Sequence, residues 1–75
     1  MINLEILNSE IEDIFGAGSA RYTAPYIIKA ISENQWTELD DLFKYLWINF
    51  SGGDTCEYAA NRINDRCNLG LEWKK

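Results

Sequence analysis

The chain has 75 residues, seven Lys and Arg against twelve Asp and Glu, no His, and a formal net charge of −5 at neutral pH. With 47% hydrophobic and 25% charged residues it is expected to fold, as one small domain over residues 1–75. No apolar run approaches the ~20 residues that span a bilayer. The lack of His removes imidazole bases, His-paired nucleophiles and histidine metal ligands, and the negative total opposes general affinity for nucleic acid.

Residues 2–7 alternate, with Ile2, Leu4 and Ile6 on one side and Asn3 and Glu5 on the other, which predicts a strand. Ser9 and Glu12 fit a capping box for a short first helix carrying Ile11, Ile14 and Phe15, stopped by Gly16 and Gly18. A competing reading is one helix from Asn3 to Phe15, because Leu4, Leu7, Ile11 and Ile14 also fall at helical spacing.

The second helix is expected to begin near Thr23, with Pro25 in its early turn. It presents Ala24, Ile27, Ile28 and Ile31 on one face and ends at Glu33-Asn34-Gln35. The third carries the strongest signal. Thr37 is its predicted cap, and Leu39, Leu42, Phe43, Leu46, Trp47 and Phe50 form an amphipathic stripe before Gly52-Gly53. A fourth helix is expected from Thr55 to about Asn68, burying Cys56, Ala59, Ala60, Ile63 and Cys67. Leu69, Leu71 and Trp73 then alternate as a final strand. The expected fold is therefore mainly α (α+β): about four short helices with a small two-stranded sheet made from the N- and C-terminal segments.

On one helix Cys56 and Cys67 lie roughly 16 Å apart along the axis, beyond the roughly 7 Å a disulfide spans. They are expected to be buried thiols in a reducing compartment. The opening MINLEILNSE has neither a basic stretch nor a long apolar one, which predicts a cytoplasmic protein.

Chemistry-bearing motifs are weak. The glycines of Gly16-Ala17-Gly18-Ser19-Ala20-Arg21 follow a helix and lack the third glycine of a dinucleotide fingerprint, so they read as a loop. Glu10/Glu12/Asp13 and Asp40/Asp41 lie in predicted first helical turns, where acids complement the helix dipole. Two cysteines without His do not make a zinc site. No catalytic residue, cofactor or metal is expected, and the protein is not expected to be an enzyme.

Two binding readings remain. Asn61, Arg62 and Arg66 lie on the outward side of the fourth helix, with Lys74 beyond it, and Arg and Asn are residues that read base edges. The order helix, turn, helix, short strand over roughly residues 24–75 resembles a winged-helix or helix-turn-helix module. That resemblance rests on element order and implies a dimeric DNA-binding regulator. However, residues 56–75 hold four basic and three acidic side chains, net +1, while residues 1–55 hold three basic and nine acidic, net −6. DNA-binding domains ordinarily carry a clear basic face.

The acid surplus favours the other reading, a protein partner that is itself basic and handles nucleic acid. In size, charge and aromatic richness the chain is similar to small acidic phage proteins that block host restriction or CRISPR effectors. The expected function is thus an inhibitor or immunity-type protein. It would occlude a nucleic-acid-processing enzyme through Glu10, Glu12, Asp13, Asp40 and Asp41. Tyr45 and Ile48, off the core stripe of the third helix, are the expected apolar anchors, with Tyr22 and Tyr26 as additional candidates.

Overall fold

A computed structural model describes residues 1–50 and 52–75. Among these residues the chain forms four helices and no strand: α1 (Leu4–Phe15), α2 (Ala20–Ser32), α3 (Leu39–Phe50) and α4 (Gly53–Arg66). The mainly helical expectation holds. The two-stranded sheet does not form, and with it goes the wing of the winged-helix resemblance.

The N-terminal half of the expected sheet is the first turn of α1. Asn3 stands at its N-cap in extended conformation, and its Oδ1 accepts a hydrogen bond from the Ile6 amide at 3.1 Å. The alternation of Leu4 and Ile6 carried little burial, for both remain substantially exposed, whereas Leu7, which breaks the alternation, is completely buried with Ile11. The helical period wins because it places Leu7 and Ile11 in the core one turn apart. Ser9 then lies inside the helix rather than at its cap, and Glu12 reaches forward so that its Oε2 accepts from the Gly18 amide at 3.0 Å.

The C-terminal half has no regular secondary structure and pairs with no strand. The side-chain amide of Asn64 takes the place of a neighbouring backbone. Its Oδ1 accepts from the Leu71 amide at 2.9 Å and its Nδ2 donates to the Leu71 carbonyl at 2.8 Å. Further along, the Glu72 carbonyl accepts from the Leu39 amide at 2.8 Å, satisfying one of the orphan donors that open α3. The Lys74 amide donates to Asp40 Oδ1 at 2.7 Å. The Trp73 indole N–H donates to Asn61 Oδ1 at 2.9 Å, and its ring meets Phe43 edge-on at 5.8 Å. Residues 69–75 thus lie as a strap across α3 and α4.

The starts of α2, α3 and α4 depart from the sequence reading by one to three residues. α2 begins before Thr23, which is buried within it and donates from Oγ1 to the Ser19 carbonyl at 2.9 Å. α3 is opened by Asp41, whose Oδ2 accepts from the Thr37 and Glu38 amides at 3.0 and 3.1 Å. α4 starts at Gly53, ahead of Thr55. Two helix ends share one device. Asn34 and Asn68 adopt left-handed conformations just past α2 and α4. The amides of Gln35 and Leu69 then bond back to the Ala30 and Asn64 carbonyls at 2.8 and 3.0 Å, the Schellman pattern.

α4 packs against both α1 and α3, and α2 packs on α1. Its buried face is made of small side chains, Cys56, Ala59 and Ala60, with Ile63 and Cys67 following, which lets neighbouring helices approach closely. Facing them are Leu7 and Ile11, Ala24 and Ile27, and Leu39, Leu42 and Leu46. At the rim Phe15 stacks on Phe50 with centroids 4.1 Å apart.

Gly16 ends α1 at φ 109° and ψ 166°, a conformation essentially confined to glycine. A Gly16→Ala variant is expected to lose about 1–3 kcal/mol, read from its urea midpoint; an unchanged midpoint would show that the turn tolerates a side chain.

Candidate functional site

Five acids were expected to form a recognition surface, and the structure gives each of them an internal partner. Glu10 on α1 is buried, and its Oε1 accepts from Arg62 Nε at 2.5 Å while its Oε2 lies 3.5 Å from Arg66 Nη1. Asp13, one turn further along α1, accepts from Arg62 Nη2 at 2.6 Å. Tyr58 lies 3.2 Å from Arg62 Nη1. The guanidinium of Arg62 is therefore forked between two carboxylates and joins α4 to α1. Its protonated form is held all the more firmly by Asp13 first, then Tyr58 and Glu10, so its pKa lies above the usual arginine value. Glu12 closes the turn into α2, Asp41 opens α3, and Asp40 holds the Lys74 amide.

These contacts also engage three side chains of the DNA-reading alternative, Asn61, Arg62 and Arg66. Arg62 is engaged by α1, Arg66 stands near Glu10, and Asn61 accepts from Trp73. Lys74 has its backbone tied to Asp40. A base edge approaching α4 would have to displace carboxylates from Arg62, and hydrogen bonds to charged groups are among the stronger ones.

Tyr45 and Ile48 are placed differently. Ile48 is 84% exposed and Tyr45 half-buried on α3. Tyr45 stacks face to face on Tyr26 of α2, centroids 4.9 Å apart and planes 6° from parallel. Trp36, in the connection between α2 and α3, leans on both rings, at 5.1 Å from Tyr45 and 6.0 Å from Tyr26. Together with Asp41, Lys44 and Ile48 they line an open groove of about 240 Å³. Trp36 was not among the expected site residues. It lies outside any helical period, so only the fold of the connection brings it to Tyr45.

Desolvation by burial, then the neighbouring Tyr26, raises the Tyr45 phenol above its ordinary value of 10.0. Burial likewise raises the Cys56 and Cys67 thiols above 9.0, with Glu10 adding to the shift at Cys67. As pH climbs past these ordinary values the unfolded chain ionises first, so stability is fully present below about pH 9 and falls as pH rises toward the folded-state values. Thermal melts from pH 7 to 11 are expected to show a flat region and then a declining midpoint; a midpoint still flat at pH 11 would contradict the assignment.

A second cavity of about 380 Å³ lies where the start of α1 meets the ends of α2 and α4, walled by Ile2, Ile6, Ile31, Cys67 and Leu69. The charged side chain at its edge, Arg66, is already beside Glu10. Among the described residues no group of three or more His, Cys, Asp or Glu is placed to hold a metal ion. Nor is any helix among them long and apolar enough to cross a membrane. Comparison with protein-family models, with curated proteins and with solved structures gives no match to this chain.

Proposed function

We propose that the protein is a small protein-binding module that docks through the α2–α3 groove onto a basic, nucleic-acid-handling partner and occludes that partner's basic surface. The supporting observation is the position of Ile48. It is 84% exposed at the lip of a cluster in which Tyr26 and Tyr45 stack and Trp36 leans on both, in a chain of net charge −5. Aromatic rings with an aliphatic neighbour, fixed in place and rimmed by charge, are what interface centres are made of. The acids contribute differently from the sequence expectation. Glu10, Glu12, Asp13, Asp40 and Asp41 build the fold. The overall negative field steers the encounter with a positive partner, and the groove supplies the short-range contact.

The test is an Ile48→Asp variant, which changes an exposed side chain and leaves the core untouched. A partner captured from the source cell by the wild-type protein is expected to lose nucleic-acid binding when the wild-type protein is added. Hot-spot truncations cost 2 kcal/mol or more, so the variant is expected to bind about 30-fold more weakly. A partner that keeps its nucleic acid, or that binds the variant equally well, rejects the reading.

A further inference from the structure

We infer that the α2–α3 groove is a receptor for an arginine side chain of the basic partner. This rests on the function proposed above and names the residue type that the groove takes. At about 240 Å³ the groove falls below the roughly 300–1,000 Å³ typical of cofactor and small-molecule sites and suits one long side chain.

Its walls select the kind of side chain. Tyr26 and Tyr45 are 4.9 Å apart and nearly parallel, too close to admit a group between them. A compact ammonium therefore has no enclosed cage. What the cluster offers is a flat aromatic face with Trp36 set against it at 52°, forming a corner. A guanidinium is planar, weakly hydrated and suited to lying on such a face, whereas an ammonium is a strongly hydrated point charge.

The anion for its N–H groups is already in place. Asp41 lines the groove, and its carboxylate is oriented by the two amides that it caps, Thr37 and Glu38. Two oxygens with about four lone-pair sites leave acceptor capacity beyond those two bonds. Because the carboxylate is fixed before the partner arrives, little freedom is lost on binding. Ile48 provides an apolar surface for the methylene stem of the arginine. Lys44 also lines the groove and opposes a cation there, which makes it the informative position.

The experiment titrates the full chain, followed by ¹H–¹⁵N NMR including indole N–H signals, with a nona-arginine peptide and a nona-lysine peptide of equal charge. The arginine peptide is expected to bind about 5-fold more tightly, on the scale of one cation–π contact, and to shift the Trp36 indole and the Tyr45 and Lys44 amides most. Lys44→Gln is expected to tighten arginine-peptide binding several-fold, and Trp36→Leu to abolish the preference for arginine over lysine. Should Trp36→Leu unfold, Lys44→Gln carries the test, since Lys44 is exposed. Equal binding of both peptides, or shifts centred away from the groove, overturns the arginine receptor but leaves an acidic protein that attracts basic partners. No binding of either peptide at low salt overturns both proposals.

Discussion

Leu46→Ala is expected to lower stability by about 3 kcal/mol, from lost transfer energy and the cavity left behind. Leu46 is completely buried on α3, among the side chains between α3 and α4. A core of this size supplies only ~3–5 kcal/mol in total, so the variant should keep no more than about 2 kcal/mol and be up to about half unfolded. Ile48→Ala provides the control on the same helix. Its side chain is 84% exposed, and its stability should move by no more than about 0.5 kcal/mol. Urea denaturation of the pair decides the matter; equal midpoints would mean that α3 is turned the other way.

Asn64→Ala is expected to release the strap. The Asn64 amide bonds both to the N–H and to the C=O of Leu71, and two such bonds contribute about 2 kcal/mol together. The effect should be local. Amides of residues 69–75 lose protection from hydrogen exchange, the Trp73 indole signal moves as its bond to Asn61 is lost, and far-ultraviolet circular dichroism stays helical. Asn64→Asp should not rescue, because a carboxylate accepts from the Leu71 amide but has nothing to donate to the Leu71 carbonyl. Retained protection of the Leu71 amide in Asn64→Ala would contradict the assignment.

Periodic side-chain patterns were legible wherever burial was one-sided. The face of α4 was readable residue by residue, and Cys56, Ala59, Ala60, Ile63 and Cys67 are all buried. Leu39, Leu42 and Leu46 followed the same rule on α3, while Trp47 at the edge of that stripe stays 52% exposed. What failed was inference from alternation over five or six residues. At the N-terminus Leu4 and Ile6 alternated without being buried. At the C-terminus the alternation of Leu69, Leu71 and Trp73 does not mark a strand either: the hydrogen-bonding partner of Leu71 is a side chain, and no strand pattern announces a lone Asn acting as a peptide group. The charges were legible as a total and not as an arrangement. Arg62 and Glu10 are 52 positions apart, so their pairing depends on how α1 and α4 dock. The same holds for Trp36 and Tyr45, whose meeting follows from the path between α2 and α3.

The central position of α4 has a kinetic corollary. Helix α1 lies on it from the far end of the sequence and α3 from immediately before it, so neither can separate without exposing Ala59, Ala60 and Ile63 to solvent. Backbone deuterons should therefore enter this stretch only in molecules that have opened completely, and its slowest exchange rates measure the global unfolding free energy. In α2, Pro25 offers no N–H to the carbonyl of Arg21. Deuterium should reach that turn through smaller openings, ahead of the stretch around Ala59, Ala60 and Ile63.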